Sequence, residues 1–292
     1  MRICVGVAGP LRLFAAIVSM SHALPALGQS ATADPENGGF AGGIYTSPYF
    51  GLRYPLPGGW TPGPHPSAPS YGGYYVLATP APPERVKETI LIAAQDEFFA
   101  DEASSDASRF VQELAQGLLE RGHATMPAPA TIAGHAFQRL VISGTPLSRI
   151  VLATELRCHI VIFSFTGAEL EELETLAASL GRLSFEEGPV ARACVKGYAT
   201  AQTIRQRLDP LPTGPRFVTI PVRIVIGTNG AVRHVHVIRA FPELRRSIED
   251  ALAQWRFAPY SLNERPTEVE TGLGLVFKPT GDANMLPGGG RP

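Results

Sequence analysis

The feature that most constrains the fold is an Asn-Gly pair, Asn229-Gly230, between two runs of alternating apolar residues. The run before it is FVTIPVRIVIG, with Val222, Ile224 and Ile226 on one face, and the run after it is AVRHVHVIRA. Such a pair between alternating runs is the strongest short-range signal for a β-hairpin, because Asn and Gly accept the positive φ that the turn requires. The sequence therefore predicts an antiparallel hairpin here.

A helix and a further strand are predicted after the hairpin. FPELRRSIEDALAQWRF has Pro242 at an early helical position, where proline is tolerated, and carries an apolar stripe that ends in Trp255. Phe257 and Pro259 then turn the chain toward TEVETGLGLVFKP, a predicted strand. We expect the aromatic residues to be structural and to close a small ββαβ core over residues 217–279.

The ordered set of hairpin, proline-containing helix start, ALAQWRFAP and final strand resembles the TonB carboxy-terminal domain family over residues 217–278. The resemblance implies a periplasmic module with one helix packed on a small sheet. It also implies β-augmentation, in which an edge strand captures an extended segment of another protein, such as an outer-membrane transporter.

By this resemblance the final strand is the partner-binding edge. Gly272 and Gly274 keep side chains off alternate positions of that strand, so a partner backbone has room to approach. The alternative is that they mark a bend in an ordinary edge. The candidate partner-binding residues are Thr267, Val269, Thr271, Gly272, Leu273, Gly274 and Leu275.

Residues 44–187 are predicted to form an α+β sandwich. YFGLRYPLPGGW, YYVLAT and ETILIAAQ indicate strands, and two longer runs, GHAFQRLVIS and LSRIVLATELRCHIVIFSFTG, indicate a hairpin. Amphipathic patterns predict one helix over residues 107–121 and another in AELEELETLAASLGRLSF. The element order indicates two helices on an antiparallel sheet and resembles, more loosely, the PsbP-like sandwich over residues 50–185.

The remaining segments are predicted to be connectors. Residues 1–28 have a positive start and a short apolar run, which is typical of a cleaved signal peptide; the alternative is an uncleaved membrane anchor. Residues 29–43 are expected to be a flexible lead. Residues 188–216 are expected to be a linker with a helical stretch, and residues 280–292 a disordered tail.

Two cysteines, Cys158 and Cys194, remain once Cys4 leaves with the signal peptide. An even pair in an exported protein permits a disulfide, which would tether the two modules. The alternative is that both are unpaired small apolar residues. The spacing alone does not choose between them.

The sequence carries no motif for catalysis, a metal or a cofactor. There is no G-x-S-x-G, CxxC or phosphate-binding loop, and the formal net charge of −1 argues against a nucleic-acid partner. His234 and His236 lie on the same face of a predicted strand, where a metal would need a third ligand from elsewhere. We therefore expect a protein that is not an enzyme and binds no cofactor.

These observations predict an exported, periplasmic protein that binds a protein of the cell envelope, either an outer-membrane transporter or a second copy of itself. One alternative is a TonB-type energy transducer anchored in the inner membrane, in contact with the membrane only if the N-terminal segment stays uncleaved. A second alternative is a ligand-binding protein or hydrolase with its pocket in the N-terminal domain.

Overall fold

The computed structural model describes residues 33–100, 106–186, 192–207, 218–277 and 283–287. Over these residues the protein has an α+β fold, as the sequence predicts, built from mainly antiparallel strands with three α-helices. The expected signal peptide, residues 1–28, lies outside the described residues. No helix within the described ranges is long and apolar enough to cross a membrane.

The N-terminal sandwich holds the first ten strands and two helices. In chain order its elements are β1 (Gly39–Ala41), β2 (Ile44–Ser47), β3 (Leu52–Pro55), β4 (Tyr74–Ala78), β5 (Thr89–Asp96), α1 (Ala107–Leu119), β6 (Ala128–Ile132), β7 (His135–Ile142), β8 (Ser148–Leu156), β9 (His159–Gly167), α2 (Leu170–Ala178) and β10 (Ser184–Phe185).

The C-terminal module and its connector hold the other elements. In chain order these are β11 (Ala193–Cys194), β12 (Ile204–Gln206), β13 (Val218–Ile226), β14 (Val232–Val237), α3 (Pro242–Leu252), β15 (Arg256–Phe257), β16 (Ser261–Leu262), β17 (Arg265–Pro266), β18 (Val269–Phe277) and β19 (Ala283–Pro287).

The sandwich is organised around a six-stranded antiparallel sheet with the order β4-β5-β9-β8-β7-β6. Along β9, Ile160 and Ile162 pack toward α1, whereas Val161 and Phe163 pack into the core on the opposite face. Alternation of this kind follows from the two-residue period of a strand, and it buries both faces of β9. Asp106 caps the start of α1, because its carboxylate accepts a hydrogen bond from the backbone N–H of Arg109 at 2.8 Å.

The run LSRIVLATELRCHIVIFSFTG forms two strands, β8 and β9, where the sequence predicted one long strand. The turn between them is the pair Arg157-Cys158, with φ of 49° and 60°. These values match a tight two-residue hairpin turn, in which Asn and Gly are the preferred residues. The turn carries no such residue, so the composition gave no sign of it.

The expected flexible lead over residues 29–43 is ordered in part. Gly39–Ala41 forms β1, which pairs with β2, and the ring of Phe40 lies 5.3 Å from the ring of Tyr45. Phe40 supplies the apolar contact that fixes this part of a polar, glycine-rich segment. β1, β2, β3 and β10 form a four-stranded sheet beside the main one.

The C-terminal module has the predicted strand-strand-helix-strand order. β13 and β14 form the hairpin, Gly230 has a φ of 78°, and the Asn229 side chain accepts a hydrogen bond from the Ala231 N–H at 3.1 Å. β13 pairs on its other side with β18 along nine residues. The described part of the expected linker helix, residues 192–207, holds the short strands β11 and β12 and no helix.

Other segments of the chain pair with the outer side of the final strand, which is the predicted partner-binding edge. β18 pairs with β13 on one side, and on the other side it pairs with β11 at Val269 and Glu270 and with β19 from Leu273 to Phe277. β19 comes from the segment expected to be a disordered tail. The tail joins the sheet because β18 offers it unpaired backbone groups, which the sequence pattern of the tail alone does not reveal.

Trp255 is fully buried in the core that α3 forms with the sheet, beside Leu252 and Phe257. We predict that Trp255→Ala lowers the free energy of unfolding by about 3–5 kcal/mol, because the substitution leaves a large cavity in a small core. Urea denaturation followed by far-ultraviolet circular dichroism measures the loss. Leu262→Ala, at a residue 49% exposed, is the control and should change little. Equal denaturation midpoints for the two variants would contradict the assignment of Trp255 to the core.

Candidate functional site

A fully buried arginine, Arg223, lies where the C-terminal module meets the sandwich. Along β13, Val222 and Ile224 point into the core under α3, so Arg223 between them points to the opposite face, toward the sandwich. Its side chain is 2% exposed. A guanidinium buried to this degree needs partners for all of its donors.

Five hydrogen bonds satisfy the guanidinium group. Nε and Nη2 both donate to Oε1 of Glu270, at 3.2 and 2.8 Å. Nη1 donates to Oδ2 of Asp96 at 2.6 Å and lies 3.2 Å from Nε2 of His159, and Nη2 also donates to the Tyr49 hydroxyl at 3.2 Å. We call Arg223, Asp96, Glu270, Tyr49 and His159 the Arg223 network. It joins β13 and β18 to the sandwich.

The environment sets the protonation of the network. Burial lowers the pKa of His159 well below its ordinary value, and the positive charge of Arg223 adds to this. His159 is therefore neutral, with Nδ1 donating to the Arg157 carbonyl at 2.8 Å and Nε2 accepting from Arg223. Burial by itself would raise the pKa of Glu270, but the charge and hydrogen bonds of Arg223 outweigh it and leave the pKa lowered. Glu270 is thus a carboxylate.

Gly272 gives the network its space. It lies directly opposite Arg223 in the β13–β18 ladder, and a Cβ at this position would lie 2.6 Å from the Cβ of Phe98. The guanidinium carbon of Arg223 lies 4.7 Å from the centre of the Phe98 ring. The space at Gly272 is therefore filled by the side chain of Phe98, whereas the sequence predicted that a partner backbone would approach there.

A disulfide joins Cys158 to Cys194, with the Cα atoms 5.6 Å apart, and settles the alternative that the sequence left open. Cys158 is in the β8–β9 turn of the sandwich, and Cys194 is in β11 on the side of β18. Cys158 is buried, whereas Cys194 is exposed. The bond therefore tethers the connector, and through it the edge of β18, to the sandwich.

The outer side of β18, away from β13, has two covered stretches. The carbonyls of Glu268 and Glu270 accept hydrogen bonds from the N–H groups of Ala193 and Val195, at 2.9 and 3.0 Å. Because backbone groups alternate along a strand, the N–H and C=O of Gly272, Gly274 and Val276 point to this same side. β19 pairs antiparallel with the second stretch, with Leu286 opposite Gly274 and Asn284 opposite Val276.

The predicted partner-binding residues are therefore not equivalent. Val269 is blocked by β11, and the Thr271 hydroxyl accepts a hydrogen bond from the Tyr198 N–H at 3.3 Å. Thr267 precedes the strand, and its N–H donates a hydrogen bond to the Tyr260 carbonyl. Only the stretch that begins at Leu273 and includes Gly274 and Leu275 pairs with an added strand, which here is β19.

His234 and His236 face the N-terminal segment. Nε2 of His234 lies 2.8 Å from Oδ1 of Asp34, and Nε2 of His236 lies 3.0 Å from Oε1 of Glu36. These acidic residues are 200 positions away in sequence, so no sequence pattern links them to the histidines. In the part of the chain that the structure describes, no group of three or more His, Cys, Asp and Glu is arranged to hold a metal ion.

Sequence reasoning missed the Arg223 network. One signal was present: a single charge, Arg223, interrupts the apolar run PVRIVI in a strand that must be central if it pairs on both sides. A charge in a doubly buried strand requires a partner of opposite charge. The partners could not be named, since Asp96 and His159 come from another module.

Comparisons with known proteins add little to these observations. No family model and no curated protein matches the chain. Among solved structures, the solution structure of cyanobacterial PsbP (CyanoP) from Synechocystis sp. PCC 6803 is similar at 15% identity, with a TM-score of 0.32, over 51% of this chain and 98% of that chain.

Substitution of Arg223 should destabilise the folded protein. We predict that Arg223→Met lowers the free energy of unfolding by about 3–5 kcal/mol, because Asp96 and Glu270 keep their burial and lose their counter-charge. Urea denaturation at pH 7 measures the change. Arg233→Met, at an exposed position of β14, is the matched control for losing an arginine. If Arg223→Met unfolds at the same urea concentration as the wild type, the Arg223 network does not stabilise the fold.

Glu97, next to the network, should make stability depend on pH. Burial, with the neighbouring Glu155 and Asp96 carboxylates, raises the pKa of Glu97 from 4.5 to about 7. Its stabilising contribution is therefore complete below pH 4.5 and lost as the pH rises through 7. We predict that, between pH 5 and pH 8, the free energy of unfolding of the wild type falls by on the order of 1 kcal/mol relative to that of Glu97→Gln. This figure allows for the partial exposure of the carboxyl group, which screens its charge.

Urea midpoints at both pH values measure this difference. Glu84→Gln, in an exposed loop, controls for the loss of one negative charge and should keep a constant offset from wild type. A constant offset for Glu97→Gln as well would show that Glu97 does not titrate in this range.

Proposed function

We propose that this protein is an exported, non-enzymatic binding protein of the cell envelope with a TonB-like C-terminal module. It binds an extended segment of another envelope protein, such as an outer-membrane transporter, as an added strand on the outer side of β18. The added strand occupies Leu273–Phe277, the stretch that the chain's own β19 covers.

The observation that carries the proposal is the pairing of β19 with β18. Five residues of the C-terminal tail lie antiparallel to Leu273–Phe277 in unbroken register. This stretch thus accepts an extended segment through backbone hydrogen bonds, which demand little of the sequence that binds. A foreign strand with the same direction would make the same bonds.

Two further features support the proposal. The Cys158–Cys194 bond fits an oxidising compartment, as expected of an exported protein. The polar groups of the Arg223 network are buried and bonded to one another, so they offer nothing to a substrate. They serve instead to hold β18 in place while its outer side exchanges strands.

The register indicates which backbone groups of β19 matter. Leu286 and Asn284 lie opposite Gly274 and Val276, whose backbone groups point outward, so the N–H groups of Leu286 and Asn284 point to β18. The N–H of Met285 points away. Pro287, opposite Leu273, also falls at a position whose nitrogen points away, where the missing N–H costs no pairing.

This alternation provides a test with a matched control. We predict that the double variant Asn284→Pro/Leu286→Pro releases β19 and binds a labelled synthetic peptide of residues 281–292 at least about ten-fold more tightly than wild type. The resident strand otherwise competes at a high effective concentration. Met285→Pro removes an N–H that does not pair and should bind the peptide as wild type does. Fluorescence anisotropy measures the dissociation constants.

The double variant and the control should also differ in the cell. Photocrosslinking from Gly274 in the envelope should link the double variant to an outer-membrane protein more strongly than it links Met285→Pro. Equal peptide affinities for the two variants would show that this side of β18 does not take a strand, and the proposed function would be wrong.

A further inference from the structure

The outer side of β18 is divided at Gly272. On one side of this residue β19 covers Leu273–Phe277, and on the other side β11 covers Val269 and Glu270. β18 is nine residues long and keeps regular register with β13 throughout. Its backbone is therefore equally suited to pairing along its whole length, and the limit on an added strand is the presence of β11.

β11 is only two residues long and pairs parallel to β18. The backbone hydrogen bonds of this short pairing, among them those donated by Ala193 and Val195, are a weak hold on β11. Arg192 adds contacts with Glu268 at 3.4 Å and Glu270 at 4.0 Å, with about a quarter of its side chain exposed. The covalent attachment at Cys194 is the strongest restraint that keeps this segment on the edge.

We propose that the Cys158–Cys194 disulfide sets the length of the strand-binding edge. With the bond formed, an added strand is confined to Leu273–Phe277. With the bond reduced by a dithiol, β11 leaves and all nine residues of β18 accept a longer extended segment. The inference rests on the proposed function, since it concerns the regulation of the same edge.

Access to the bond favours one order of events. Cys194 is exposed and Cys158 is buried, so a thiolate of the dithiol attacks the sulfur of Cys194 and Cys158 leaves as a thiolate. The second thiol of the reductant then attacks the mixed disulfide and releases Cys194. The reductant ends as a disulfide, and the protein gains two thiols.

The fold keeps the effect local. The Arg223 network joins β13 and β18 to the sandwich without using either cysteine. Ile238 of the C-terminal module is also buried in the core of the sandwich. Reduction therefore frees β11 around Cys194 and leaves β18 where it is.

Two labelled peptides distinguish a short edge from a long one. ANMLP has the sequence of β19. ANMLPTVTV continues it in the same register, so that its last four residues lie opposite Gly272 back to Val269. Both are titrated into the full chain carrying Asn284→Pro/Leu286→Pro, before and after reduction with dithiothreitol. The long peptide should bind at least about five-fold more tightly after reduction, and the short peptide should bind equally in both states.

A second variant and a second measurement support the assignment. The full chain with Cys194→Ser should bind the long peptide tightly without reductant, and circular dichroism shows whether it is folded. Hydrogen exchange of the Ala193 and Val195 amides in the wild-type chain should accelerate on reduction. This measurement reports the release of β11 even if the serine variant does not fold.

The outcomes separate the two proposals. If both peptides bind and reduction changes neither affinity, the disulfide does not set the length of the edge, and the proposed function stands. Unchanged exchange at Ala193 and Val195 likewise overturns the inference. If neither peptide binds in either state, the proposed function fails and the inference fails with it.

Discussion

The burial of one guanidinium group governs how the two parts of this protein fit together. Arg223 donates five hydrogen bonds while almost no part of its side chain reaches solvent. Its carboxylate partners come from β5 of the sandwich and β18 of the C-terminal module. Because a buried charge without a partner is far less favourable than a paired one, the two parts can pack together only where Arg223 meets these carboxylates.

The packing fixed by the Arg223 network determines which side of β18 is available for pairing with an added strand. One side of the strand is paired with β13, and the face that carries Glu270 and Gly272 is pressed against the sandwich. Only its outer side remains for exchange. Sheet edges are a hazard for aggregation, and proteins often cover them with their own segments. Here the covers are β11, held by the disulfide, and β19, whose only described partner strand is β18. The proposed binding site is therefore an edge with two covers that differ in how firmly they are held.

The elements whose signals are local were predictable. The Asn229-Gly230 hairpin, α1 and α3 each depend on residues close in sequence, so periodicity and turn chemistry indicated them. The β8–β9 turn was missed because Arg157 and Cys158 adopt positive φ without being Asn or Gly. The tail strand β19 and the connector strand β11 were missed for another reason. Each forms a strand because it pairs with β18, and a short segment has no sequence pattern that reveals such a partner.

The sequence by itself determined the α+β class, the strand-strand-helix-strand order of the last module and the position of Trp255 in its core. These follow from side-chain period and from residues that tolerate only certain backbone angles. The tertiary structure decided the partners of Arg223, the pairing of Cys158 with Cys194 and the covering of β18. Each of these is a contact between segments far apart in the chain, and its free energy depends on burial, which exists only once the modules have packed.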